Sequence, residues 1–122
     1  MSEIYHTTVT KAGAGAEDFL SERMFVTFGP EAPASLVEFC FIVDVKPVTG
    51  DIKAGQTLTI DGNAYPITAV GDVAKRNLNS LGHVTIAFDG ATAPKMEGNI
   101  HIEVTDNPPA PEVGSQFSIE EP

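Results

Sequence analysis

Tyr65-Pro66-Ile67-Thr68-Ala69-Val70-Gly71-Asp72-Val73-Ala74-Lys75-Arg76-Asn77-Leu78-Asn79-Ser80-Leu81-Gly82-His83-Val84-Thr85-Ile86-Ala87-Phe88-Asp89-Gly90 reads as a strand, a short helix and a second strand. Tyr65 to Val70 is rich in residues that suit a pleated surface, and it ends at Gly71. Asp72 stands where its carboxylate can accept from the free amides of a first helical turn. Val73, Asn77 and Leu81 recur at helical spacing, and Leu78 widens the apolar stripe. Gly82 stands where a left-handed residue closes a helix, because it has no Cβ to clash. Val84, Ile86 and Phe88 then alternate with Thr85 and Ala87, and Asp89-Gly90 supplies a closing turn.

The same grammar extends in both directions. Ile4 to Thr10 is dense in β-branched and aromatic residues and predicts an opening strand, ended by Gly13-Ala14-Gly15. Ala16 to Arg23 has room for a turn or two of helix before Met24 to Phe28, which alternates as a strand. Gly29 to Pro33 must be loop, since proline cannot donate to a sheet ladder. Leu36 to Val45 predicts a longer strand, with Val37, Phe39, Phe41, Val43 and Val45 on one face. Thr57 to Ile60 and Ala64 to Val70 flank Asp61-Gly62, a hairpin signal. Gly98 to Val104 predicts a strand with Ile100, Ile102 and Val104 on one face, and Asn107 to Pro111 a proline-rich connector. Gly114 to Ile119 echoes Gly55 to Ile60, which suggests two strands in similar settings without establishing a repeat. Seven or eight short strands with one or two short helices make an all-β fold, a small closed or partly closed barrel or a sandwich.

A chain of 122 residues is expected to form a single domain, residues 1–122, with one core. Its longest apolar run, Phe39 to Val43, is far too short to cross a bilayer. No basic segment followed by a hydrophobic one opens the chain, so no secretory signal is expected. The single cysteine, Cys40, cannot close an intramolecular disulfide, which fits a cytoplasmic protein. A net charge of −10 repels nucleic-acid backbones and anionic lipid, leaving neither nucleic acid nor direct membrane insertion as an expectation. Such a surface favours a basic protein partner, or simply keeps the protein soluble.

Few residues offer chemistry. Gly13-Ala14-Gly15 lacks the third glycine of a dinucleotide loop, having Asp18 there, and reads as a turn. His101 and Glu103 project from one strand face, but two ligands make no metal site, so a solvated face is expected. Ser35, Ser80 and Ser115 lack the strained setting of a hydrolase nucleophile. Cys40, within Phe-Cys-Phe-Ile, reads as a buried apolar side chain. His83 remains, at the joint of helix and strand. As a nucleophile it needs a neutral ring, an exposed nitrogen and a partner for its other nitrogen. The negative end of the helix works against that, and favours a structural histidine bonding the free helix carbonyls.

Taken together, these stretches resemble the glucitol/sorbitol-specific enzyme IIA component of the bacterial phosphotransferase system. The resemblance rests on Ile4-Tyr5 with Thr7-Thr8, Ala32-Pro33-Ala34, Glu38 to Ile42, Tyr65 to Gly71, Asn77-Leu78, and Leu81 to Thr85 with Phe88-Asp89-Gly90. It implies a small β-barrel and a phosphocarrier role. Members relay a phosphoryl group from phosphohistidine on HPr to the sugar permease's own phosphorylated domain, with no cofactor. The family's acceptor histidine falls directly after Phe-Cys-Phe-Ile, where this chain has Val43, followed by Asp44 and Val45. An isopropyl group has no lone pair, so the usual acceptor is missing. Asp44 has an oxygen that can form an acyl phosphate, but its charge resists an incoming phosphoryl group. His83 matches a family position and stays as the candidate catalytic residue, a neighbour of the site. The resemblance therefore implies a sorbitol-type enzyme IIA-like relay. A non-catalytic binding or regulatory paralogue, and a small-ligand-binding barrel, are the alternatives.

Overall fold

The structure, a computed structural model, describes residues 2–105 and 108–122. Eight strands are described: β1 (Glu3–Ala12), β2 (Met24–Phe28), β3 (Phe41–Val43), β4 (Thr57–Ile60), β5 (Asn63–Val70), β6 (Val84–Ala87), β7 (Asn99–Ile102) and β8 (Gln116–Glu120). They close into one barrel in the order β1-β3-β2-β6-β7-β5-β4-β8. Closure leaves no strand edge unpaired, so short strands suffice. The β2–β3 and β6–β7 pairs are parallel; the other six are antiparallel. The expected all-β barrel is therefore the fold, with one α-helix, α1 (Ala74–Leu81), and two 3-10 helices, Ala16–Glu22 and Val37–Phe39.

A two-fold relation organises the barrel. Val26 faces Thr85 across β2 and β6, and Thr59 faces Ser118 across β4 and β8. Each pair lies 59 positions apart (85 − 26 and 118 − 59), so one axis passes through both contacts. The same shift carries the parallel pair Thr27–Phe41 onto Ile86–Ile100. One residue less carries β1 onto β5, where Val9 meets Val43 and Ile67 meets Ile102. Strands β1–β4 and β5–β8 are thus two copies of one unit, and the echo of Gly55–Ile60 in Gly114–Ile119 is its legible fragment. The related strands β4 and β8 pair with each other directly.

The interior is filled by alternate residues of every strand. Phe25, Phe41, Ile67, Ile100, Ile102, Ile119, Val9 and Val43 are fully buried there. The Phe25 ring meets Phe41 edge-on at 5.9 Å and lies against Phe117 at 5.7 Å, separations at which aromatic pairs attract beyond their buried area. In β2 the inward residues are Phe25 and Thr27, while Met24 and Val26 face outward, half-buried.

Three local expectations are corrected. Helix α1 has no side-chain cap: Asp72 makes no capping bond. The amides before the helix go instead to backbone, Val73 N–H to the Glu97 carbonyl at 3.0 Å and Ala74 N–H to Gly71 at 3.2 Å. Its buried face is Ala74 and Leu78, not Val73, Asn77 and Leu81, so the stripe is rotated toward the barrel. The predicted strand over Leu36 to Val45 shrinks to β3. Amides of Leu36 and Val37 both reach the Pro33 carbonyl at 2.9 Å, turning this stretch into a 3-10 helix. Alternation could not reveal that, because Leu36, Val37 and Phe39 stay partly exposed outside the ladder. The connector predicted from Asn107 begins outside the described residues.

Candidate functional site

One end of the barrel gathers the residues that the sequence singled out. Helix α1 stops at Gly82 (φ 67), whose amide reaches the Leu78 carbonyl at 3.0 Å, while the His83 amide reaches Asn77 at 3.2 Å. The Leu81 carbonyl accepts from Gly29 N–H at 2.7 Å, and the Gly82 carbonyl from the Thr27 hydroxyl at 2.9 Å. The Asn77, Leu78, Leu81 and Gly82 carbonyls at this helix end are therefore met by backbone and by Thr27. Gly82 is required twice over: its φ is left-handed, and a Cβ there would stand 3.1 Å from Gly29 N and 3.2 Å from Val43 Cγ2.

The His83 ring consequently does not bond the helix, contrary to the structural role expected for it. Its Nδ1 lies 3.1 Å from the Thr27 carbonyl of β2. A carbonyl only accepts, so Nδ1 carries a proton, and in the neutral ring the lone pair falls on Nε2. Extending the β2–β6 ladder by one step sets Phe28 opposite His83, and the two rings stack at 4.3 Å and 27°. Nε2 makes no hydrogen bond among the described residues, and the side chain is half-buried. Sequence reasoning missed Thr27 and Phe28, because only the pairing of strands 55 residues apart brings them here.

Val43 points inward, 0% exposed, with its Cγ2 3.2 Å from where a Gly82 Cβ would stand. Val45 and Leu81, each about two-fifths exposed, flank the same end, and a Cβ at Gly29 would strike Val45 Cγ2 at 2.5 Å. Asp44 is exposed, with its carbonyl accepting from the Thr7 hydroxyl at 2.7 Å. Val43 thus packs at the same Gly82 that precedes His83, while its own side chain is buried. Cys40 is buried in a small outer cluster with Phe28 and Ile42, and burial pushes its thiol up, so it offers no thiolate.

The expected solvated face of His101 and Glu103 is overturned. His101 is 0% exposed, whereas Glu103 is exposed and does not join it. Residues 89–98 fold over the imidazole. Its Nδ1 lies 2.9 Å from Asp89 Oδ1, and Nε2 accepts the Lys95 amide at 3.2 Å. Lys95 Nζ completes the cluster at 3.1 Å from Asp89 Oδ2. Burial opposes the Asp89 charge, but hydrogen bonds from His101, the Ala91 amide and Lys95 outweigh it and hold the carboxyl well below the usual carboxylate range. With both ring nitrogens engaged, His101 is a structural tie rather than a second nucleophile. Among the described residues, no group of three or more His, Cys, Asp or Glu could hold a metal ion.

These features define a class: a small closed mixed barrel presenting a tautomer-fixed imidazole at the end of α1. The model of the PTS system glucitol/sorbitol-specific IIA component matches residues 4–118. Glucitol/sorbitol-specific EIIA components of Shigella flexneri and Escherichia coli (strain K12) are each 44% identical over 102 residues, covering 84% of this chain and 83% of theirs. The crystal structure of a PTS system IIA component from Enterococcus faecalis V583 superposes with a TM-score of 0.79 at 29% identity, covering 96% of this chain and 100% of that one. The chain belongs to the glucitol/sorbitol-specific IIA family of the phosphotransferase system. No helix among the described residues is long and apolar enough to cross a membrane.

Proposed function

We propose that this chain is a cytoplasmic phosphocarrier that exchanges a phosphoryl group with HPr through His83 Nε2 and hands it to the sugar permease. The observation that carries the reading is the fixed tautomer. Nδ1–H is held by the Thr27 carbonyl, Phe28 sets the ring plane, and Nε2 keeps its lone pair. In the forward step Nε2 attacks phosphorus, the donor's P–N bond breaks, and its electron pair returns to the donor imidazole. The positive charge that develops on the His83 ring is eased by the carbonyl already bonded to Nδ1. The resulting phosphoramidate stays reactive enough to pass the group on.

Incubation with phosphoenolpyruvate, enzyme I and HPr should add one acid-labile phosphoryl group to the intact mass, and His83→Ala should abolish it. No gain in the wild-type protein overturns the relay. A second reading, a docking module without turnover, is favoured by the buried hydrocarbon at Val43, where the family resemblance puts the acceptor. Under it the mass stays unchanged while HPr still shifts NMR signals of Val45 and Leu81.

A further inference from the structure

The two-fold relation exposes a second site that the phosphocarrier reading does not use. The shift of 59 residues that carries Val26 to Thr85 relates Phe28 to Ala87, Cys40 to Asn99 and Ile42 to His101. In the first half the outer wall is filled: the Phe28 ring lies over Cys40 and Ile42 and under His83. In the second half a methyl group stands where that ring would be. A hollow of about 300 Å³ opens above Ala87, walled by Phe19, Met24 and Val26.

Its floor is polar where its counterpart is apolar. Thr85 and Asn99 are direct partners across β6 and β7, so their side chains project side by side into the hollow. Neither the Thr85 hydroxyl nor the Asn99 carboxamide has a protein partner among the described residues, and neither is sealed from solvent, so both are open to a ligand in the hollow. The cations at the rim are already engaged. Arg23 donates Nε–H and Nη2–H to the Phe88 carbonyl at 3.1 and 2.8 Å, and Lys95 pairs with Asp89. Glu22 lies at the same rim, on a chain of net charge −10.

We propose that this hollow binds an uncharged planar heteroaromatic ring of the purine class. The ring takes the place that Phe28 fills in the other half. A carboxamide matches an edge with adjacent donor and acceptor, such as the amino group and ring nitrogen of adenine. The thioether of Met24 and the ring of Phe19 supply polarizable faces. Arg23 keeps its charge but turns two of its donors to the Phe88 carbonyl, Lys95 is paired with Asp89, and Glu22 with the strongly acidic surface opposes a phosphate on the ligand.

Adenosine is the probe, titrated into the full chain and followed by backbone amide shifts. Saturable shifts at Met24, Thr85 and Asn99 are expected, with adenosine monophosphate binding at least tenfold more weakly. Ala87→Phe copies the filled half and should keep the fold while weakening adenosine at least tenfold. Asn99→Leu, which keeps the hollow open but removes its hydrogen-bonding edge, should weaken adenosine to a similar degree. Absence of saturable shifts, undiminished binding by a folded Ala87→Phe or Asn99→Leu protein, or equal affinity for the monophosphate each overturns the proposal.

Discussion

Gly71→Ala is expected to lower the urea denaturation midpoint of the protein sharply. A Cβ at this position would lie 2.1 Å from the Glu97 carbonyl oxygen and 2.4 Å from its carbon. Both are backbone atoms and cannot swing aside as a side-chain end could. The surroundings are also fixed: Gly71 N–H donates to the Asn99 carbonyl at 2.8 Å, and the same Glu97 carbonyl accepts from Val73 at 3.0 Å. Making room for one methyl therefore moves the entry to α1 away from β7 and loosens both bonds. Backbone displacement of this kind costs about 3 kcal/mol or more, a large part of the about 5–15 kcal/mol that holds a domain of this size. The two-fold relation doubles the expectation. Gly13 occupies the related place, its Cβ would lie 2.2 Å from the Glu38 carbonyl, and its amide donates to Cys40 at 3.0 Å. Urea unfolding of both variants checks this; a wild-type midpoint for either one contradicts the close approach.

That symmetric pair also marks the boundary of what could be read from residues alone. Alternation located β5 and β6, and Gly82 located the helix end, because those signals act within a few residues. The two-fold relation left almost no trace, since its halves share backbone contacts rather than side chains. Gly13 and Gly71 agree, as do Glu38 and Glu97 and Val45 and Val104, whereas Phe28 faces the demands of a filled wall and Ala87 those of an open one. The Asp72 cap failed for a related reason: backbone closes this turn, the Ala74 amide bonding Gly71 and the Val73 amide a carbonyl 24 residues away (97 − 73). The candidate site was legible only as a residue type at a joint. That His83 is held by Thr27 and Phe28 depends on β2 lying beside β6, and local spacing carries no information about that neighbour. His101 was misread because alternation assigns a face but not what folds over it.

His101→Ala is expected to cost about 3 kcal/mol at neutral pH, combining a lost buried side chain with unpaired polar groups left behind. The imidazole is fully buried, and its removal strands the Lys95 amide and one contact of Asp89. Residues 89–98 would lose one of their ties to β7, while the Gly90 amide still donates to the Ile102 carbonyl at 3.0 Å. The acid response identifies the mechanism. The Asp89 carboxyl is held below its usual range when folded, so its contribution is fully present above the unfolded value of about 3.9. It is then lost as pH falls from there through the folded value, because the unfolded chain takes up the proton first. Wild-type unfolding free energy should accordingly drop between pH 5 and 2.5, approximate limits set about that unfolded value. Asp89→Asn should be less stable at neutral pH and show a shallower fall over the same window. His101→Ala should flatten it partly, since Lys95 and the Ala91 amide still favour the carboxylate. Asp51, also lowered but fully exposed beside Lys75, provides the control: its replacement by asparagine should change the acid slope little. Identical acid slopes for wild type and Asp89→Asn would show that the Asp89–His101–Lys95 cluster does not couple to protonation, and that His101 acts through packing alone.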